Sequence, residues 1–489
     1  MDASPDPRDP LVHAALTRRA LLGRSALGLG GLALSSLLGR DLFAAGTADG
    51  SGGLAGLPHF APRAKRVIYL FMSGAPSHMD LFDEKPLLRE REGQELPPSV
   101  RGDQRITGMT STQTSFPVVG PAYGFRDYGA CGMRMSELLG GIGGIADEIT
   151  LIRSMHTEPI NHDPAVTFLL SGNQQPGRPV MGSWVAYGLG SENRDLPEYV
   201  VMLSGAGGQP LLTRYWHNGF LPSRFQGVQF RGEGDPVLFL KDPDGMPREV
   251  RRSVLDGVRE LNGLREQALG EPDIAARIAS YEMAWRMQTS VPELTDLSSE
   301  PAEVLELYGA DPSKPSFANN CLLARRLAER GVRFIQLYHR DWDHHANLPA
   351  ELKKQCEACD RPSAALVSDL KRLGLLDDTL VIWGGEFGRT AYSQGPITDD
   401  GTMKSFGRDH HPRCFSIWLA GGGVRSGLVV GATDDYGYNI TDHPIHVHDL
   451  QATVLACLGV DHTRLTFRHQ GRDFRLTDVA GRVLGEILA

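Results

Sequence analysis

Short, mainly apolar runs recur along this chain, and they restrict its fold more than any other feature. The first is Val67-Ile68-Tyr69-Leu70-Phe71-Met72, in which no polar residue alternates with the apolar ones. A strand with one wet face alternates, whereas a strand without alternation is buried on both faces. Similar runs stand at residues 149–152, 199–203, 332–337, 379–383 and 414–420, and helix-like segments lie between them at 164–170, 182–188, 250–269, 274–289, 317–330 and 350–373. Strands that alternate with helices predict an α/β fold: a mostly parallel central sheet with helices on both faces. With 489 residues, 41% of them hydrophobic, the chain has material for one large core, and we expect one main domain.

The charge balance removes one class of partner. A net charge of -9, from 59 acidic and 50 basic residues, lacks the electrostatic footprint of a nucleic-acid binder. The N-terminus has its own order: Thr17-Arg18-Arg19-Ala20-Leu21-Leu22, an apolar, glycine-rich run over 26–38, then small residues at Ala44-Ala45-Gly46. This order resembles a twin-arginine signal peptide over residues 1–46, followed by a flexible linker over 47–63. The apolar run is too short to span a bilayer, so we expect no stable membrane span. The expected partner is the twin-arginine export machinery and the expected location periplasmic or extracellular. Of the cysteines, Cys356-x-x-Cys359 has no second pair or histidines at finger spacing and is weak evidence for a metal site.

Polar clusters fall at the ends of the apolar runs, where chemistry collects in parallel sheets. His78 and Asp80 follow the first run. Asp341-Trp342-Asp343-His344-His345 follows the fourth, and so many ionisable groups in one short loop are costly to bury unless they are solvated or hold an ion. Gly384-Gly385-Glu386-Phe387-Gly388-Arg389 follows the fifth; there Glu386 is a ligand type and Arg389 suits an anionic oxygen. Gly407-Arg408-Asp409-His410-His411 precedes the sixth. His162 and Asp163 open a helix, a position suited to an anion. His443, His446 and His448 precede a helix in which Asp449 reads as the N-cap, and we place them outside the metal site. Residues 205–250, rich in glycine, proline and aromatics, read as an inserted loop or cap.

As a set, Gly74-Ala75-Pro76-Ser77-His78-Met79-Asp80-Leu81-Phe82-Asp83, Trp342-Asp343-His344-His345, Glu386-Phe387-Gly388-Arg389-Thr390, Gly407-Arg408-Asp409-His410-His411 and Asp449-Leu450-Gln451-Ala452-Thr453 resemble a secreted, sulfatase-related family of the alkaline-phosphatase superfamily, over residues 64–488. The resemblance implies an alkaline-phosphatase-like α/β domain with divalent ions (zinc, calcium, magnesium or manganese) on loops at the strand ends. It implies Asp80, Asp343, His345, Glu386 and His410 as ligands; joined with the reading of the residues, the expected metal set is His78, Asp80, Asp343, His345, Glu386 and His410, with His162 in proton transfer or ligation and Arg389 steadying the anion. One departure stands out: where sulfatases show Cys-x-Pro-Ser-Arg, this chain has His162-Asp163-Pro164-Ala165-Val166. Without a side-chain nucleophile there, water has to attack. The expectation is an exported hydrolase of phosphate or sulfate esters, on a small molecule or carbohydrate. The alternative is a non-catalytic binding or scaffold protein of the cell envelope that kept the fold.

Overall fold

Arg66–Met72 forms strand β1, and all of its residues are buried, as the unbroken apolar run requires. The computed structural model describes residues 53–238, 248–269, 272–401 and 404–489. The signal-like segment 1–46 and residues 47–52 of the linker lie outside the described residues. The chain divides into two units, Met1–Gly56 and Leu57–Ala489, and the sheet with its helices belongs to the second.

The remaining sheet strands are β2 (Ile149–His156), β3 (Tyr199–Ser204), β4 (Val228–Phe230), β5 (Phe334–His339) and β6 (Thr379–Gly384). A hairpin, β7 (Gly388–Asp399) and β8 (Lys404–His411), comes next, then β9 (Phe415–Ala420), β10 (Leu428–Val430) and β11 (Ile445–His446). The nine-stranded central sheet has the order β10-β2-β9-β6-β1-β5-β3-β4, with β11 also against β2. Every pairing in it is parallel except those of β9, which runs antiparallel to β2 and β6. The reason is the hairpin: it leaves the carboxyl end of β6 and returns to the same rim, so β9 can only run back down. The residues just before β9 therefore sit on the rim where the parallel strands end.

Alternate residues of β1 serve different layers. Ile68, Leu70 and Met72 join Leu337 and Trp383 in one core with residues of helices Phe317–Glu329 and Leu348–Arg372. On the opposite face Phe71 packs on Tyr338 with ring centroids 5.2 Å apart. There the helix Met181–Leu189 comes so close that a Cβ on Gly182 would meet the Tyr199 ring at 2.6 Å. We number the helices the site uses α1 (His162–Ser171), α2 (Met181–Leu189), α3 (Arg248–Leu269), α4 (Pro272–Thr295), α5 (Phe317–Glu329), α6 (Leu348–Arg372) and α7 (Val447–Cys457).

Three local expectations change. The polar clusters after the fifth apolar run and before the sixth, read as loops, lie largely on the hairpin, with His410 opposite Arg389 and a bulge between Arg408 and His410. The region 205–250 is more than a loop, because β4 within it closes one edge of the sheet; residues 239–247 lie outside the described residues. The N-cap of α7 is His446, not Asp449, whose side chain instead accepts from the His446 N–H in a capping box. Among the described residues no helix is long and apolar enough to cross a membrane.

Candidate metal centre

Beyond β1 the chain turns through Ser73 and Gly74, whose φ of +108° suits glycine alone. A Cβ on Gly74 would lie 2.6 Å from the Asp343 nitrogen. The turn after β1 is thus the floor under the loop after β5. The other side of that loop meets β8: a Cβ on Gly407 would lie 1.8 Å from the His345 carbonyl oxygen, and the Arg408 N–H donates to the His344 carbonyl at 3.1 Å. Clamped between two glycines, the loop brings Asp343 and His345 to one place. His162 enters from the first turn of α1, and His410 from the end of β8.

One ligand atom from each of His162, Asp343, His345 and His410 lies within 4.8 Å of all the others. Asp343 Oδ1 is 3.1 Å from His162 Nε2, 2.8 Å from His345 Nε2 and 3.4 Å from His410 Nε2. His345 Nε2 and His410 Nε2 are 3.1 Å apart. The outer nitrogen of each ring is committed elsewhere. His162 Nδ1 donates to Glu386 Oε1 at 2.5 Å, His345 Nδ1 to Gln394 Oε1 at 2.6 Å, and His410 Nδ1 to the Ile160 carbonyl at 2.8 Å.

A neutral imidazole that donates through Nδ1 carries a lone pair on Nε2. Three such lone pairs and a carboxylate oxygen then face one another. Protons on the Nε2 atoms would make imidazolium cations that crowd the one Asp343 Oδ1, which Arg389 Nη2 already contacts at 2.6 Å. His162 Nε2 is buried without a hydrogen-bond partner, because its approach to Asp343 lacks hydrogen-bond geometry. A metal cation resolves all of these conflicts at once. Ligand atoms around a tetrahedral zinc with bonds of about 2.0–2.1 Å stand about 3.4 Å apart, close to the spacings here. Metal-holding histidines also hand their outer N–H to a carboxylate or carbonyl, as these do. The residues fit an ion.

The electrostatics of His410 agree with a lone pair facing inward, whereas those of His162 favour a protonated ring while Asp343 and Glu386 are its only charged partners. Burial opposes the Asp343 charge, but the three imidazoles and Arg389 hold its carboxyl far below the usual range. Burial pushes His410 down to about 4 against the pull of Asp343, helped by Arg389, so its ring is neutral near pH 7. For His162 burial lowers the pKa, yet Asp343 and Glu386 outweigh it and the net direction is upward.

Of the residues expected from the sequence, Asp343, His345 and His410 meet, and His162 joins them. Glu386 is wholly buried behind His162, where it also accepts from the Gly74 N–H at 3.0 Å. Arg389 is turned inward: it donates to the carbonyls of Gly74, Ala75 and Arg408 as well as to Asp343, so its guanidinium is occupied by the protein. His78 and Asp80 stand outside the group of four. His78 Nε2 donates to the Gly437 carbonyl at 2.9 Å, and Asp80 accepts from Arg408 Nε at 2.8 Å and from Ser77. Gln394, which orients His345, and Gln209, which reaches Asp343 Oδ2 at 3.2 Å, gave no signal in sequence. An isolated amide in a polar stretch looks like any surface glutamine.

A family model described as "Protein of unknown function (DUF1501)" matches residues 64–488. The chain belongs to this family. A search of the curated proteins finds no match. Among solved structures, the DUF1501 chain is similar to the PsFucS1 sulfatase from Pseudoalteromonas sp., at 13% identity and a TM-score of 0.34, covering 81% of this chain and 68% of that one. It is similar to the lipoteichoic acid synthase LtaP from Listeria monocytogenes, at 9% identity and a TM-score of 0.36, covering 87% and 78%. A third is the alkaline phosphatase from the Antarctic bacterium TAB5, at 11% identity and a TM-score of 0.26, covering 74% and 92%. In this DUF1501 chain the early Ser77-His78-Met79-Asp80 motif builds a buried support, with Asp80 pairing Arg408 two residues before His410.

Proposed function

We propose that this protein is an exported, metal-dependent hydrolase of phosphate or sulfate esters. The observation that carries the proposal is the convergence of three imidazoles, each donating outward through Nδ1, with the Asp343 carboxylate at the carboxyl rim of the sheet. An ion held there supplies a positive charge that polarises an ester oxygen. The nitrogen-rich donor set favours zinc over calcium, magnesium and manganese, which prefer oxygen ligands. His345, the most exposed of the four at 22%, marks the side from which a substrate reaches the centre. His162 holds a proton on Nδ1 that Glu386 accepts, which fixes the ring with Nε2 inward. Where sulfatases carry their nucleophile motif this chain has His162-Asp163-Pro164-Ala165-Val166, so water is the attacking group in this proposal. Export to the periplasm or outside the cell rests on the twin-arginine-like segment.

A second reading keeps the ion without the turnover: a metal-holding binding protein of the envelope. The inward-turned Arg389, which leaves the substrate anion without the expected clamp, favours it. Elemental analysis of the purified full chain, together with a panel of aryl phosphates and aryl sulfates, decides between them. Near-stoichiometric transition metal with turnover, both lost in Asp343→Asn and His410→Gln, supports the hydrolase. Metal without turnover supports the binding protein. Absence of metal after reloading with zinc or manganese sinks both.

A further inference from the structure

A second polar constellation lies on the core face of the sheet, beside a cavity of about 830 Å³ lined by Ser204, Gln229, Arg231, Ser316, His339 and Arg361 among others. None of the four metal-centre residues lines it. β3 ends on Ser204 and β5 ends on His339, and the parallel register sets these two residues side by side. Ser204 Oγ lies 2.9 Å from His339 Nδ1, and His339 Nε2 lies 2.9 Å from Gln355 Oε1 on α6. The amide oxygen can only accept, so Nε2 carries the proton and the Nδ1 lone pair faces the serine hydroxyl. The competing contact of Ser204 Oγ with the Tyr338 carbonyl is longer, at 3.4 Å. His339 is 5% exposed and packs on Phe317, with ring centroids 5.0 Å apart, so its orientation is held from two sides. A hydroxyl hydrogen-bonded to an oriented imidazole, both on the wall of an open cavity, is the geometry that activates a serine.

We propose that Ser204 and His339 form a nucleophile and general base of a second hydrolytic site, whose substrates are carboxylic esters of a size that the cavity admits. Ser204 Oγ bonds to the ester carbonyl carbon while its proton passes to His339 Nδ1. The carbonyl carbon to alkoxy oxygen bond breaks, and the alcohol leaves with that proton. Water then adds to the acyl carbon and gives a proton to Nδ1; the Oγ to acyl bond breaks, the carboxylic acid leaves, and Ser204 regains its proton. Gln355 is a positioning residue. Being neutral, it supports the imidazolium less than a carboxylate would, which predicts slow turnover.

The site is independent of the metal centre, and the test separates the two. The full chain, treated with EDTA to silence the metal centre, is incubated with a fluorophosphonate. There the Oγ to phosphorus bond forms, fluoride leaves, and His339 takes the proton. The expected result is one adduct, mapped by peptide mass to Ser204, absent in Ser204→Ala and formed about 100-fold more slowly in His339→Gln. Gln355→Glu should accelerate labelling, which a merely structural glutamine would not do. Circular dichroism confirms that each variant folds, and the wild-type adduct needs no variant at all. Failure of the folded wild-type chain to label at Ser204 overturns the proposal, as does labelling of His339→Gln at the wild-type rate.

Discussion

Glu386 shows how a residue can matter to an ion without touching it. Its carboxylate takes the His162 Nδ1 proton and the Gly74 N–H, so it fixes a ring and a turn together. Replacing it with glutamine keeps the volume but removes the charged acceptor. Glu386→Gln should weaken metal affinity by about 10–100-fold, read by competition with a coloured chelator; unchanged affinity would show that Glu386 does not support the ligand. Asp343 is a different case, because Arg389 depends on it. Asp343→Ala leaves a guanidinium that is 1% exposed without its anion. Unfolding in urea should show a loss of about 3–5 kcal/mol, and a loss below about 1 kcal/mol would mean that the pair is solvated.

At the scale of elements, the site depends on two close approaches of backbone. Gly407→Ala would drive a methyl group into the His345 carbonyl, so metal content should collapse even though no ligand changes. Gly257→Ala, in α3, meets nothing within 4 Å and should instead stabilise the protein by about 0.5–1 kcal/mol. Opposite shifts in melting temperature for the two variants check both claims. The loop 434–439 is tied down by two imidazoles, His78 Nε2 donating to the Gly437 carbonyl and His411 Nε2 to the Tyr438 carbonyl. Burial lowers the pKa of both, that of His411 to about 3. Below the ordinary value of 6.5 the unfolded chain therefore binds more protons than the folded one. The His411 contribution is complete above that value and is lost as pH falls toward 3, by up to about 1.4 kcal/mol per pH unit, and that of His78 runs in the same direction. Urea midpoints of chelated protein at pH 7 and pH 5 should show this fall, and His78→Leu should reduce it; equal midpoints would refute it.

For the whole molecule, the thiols and the ion give the clearest tests. All six cysteines are free, and only Cys131 is exposed. The native chain should take up one alkyl group and the denatured chain six, as read by intact mass, and reductant should leave the melting temperature unchanged. A bound ion stabilises only the folded state. Chelation should lower the melting temperature, and zinc at about 100 times its Kd should restore about 2.7 kcal/mol. A melting temperature indifferent to both treatments would argue against an ion at the His162 and Asp343 cluster.

Much of this architecture was legible in the residues. Val67 to Met72 reads as a strand because burial on both faces leaves an unbroken apolar run, and β5, β6 and β9 are mainly apolar and wholly buried in the same way. The ligand types were visible too, since histidine and aspartate after a buried strand are costly without a purpose. The hairpin β7 and β8 was not legible. Its buried Arg389, Arg408 and Asp409 find side-chain partners across the fold, with Asp343 bonded to Arg389, Thr107 and Thr110 to Asp409 and Asp80 to Arg408. Asp80 and Asp343 are the same residue type in similar loops, one meeting a guanidinium of β8 and the other three imidazoles. The sequence by itself determined the layered sheet, the inventory of ligand-type residues and the rim on which they gather. Only the tertiary structure decided which of them share one centre and which ring nitrogen faces inward. That choice depends on hairpin register, on the reversed direction of β9 and on hydrogen bonds between residues hundreds of positions apart, none of which any local stretch of sequence encodes.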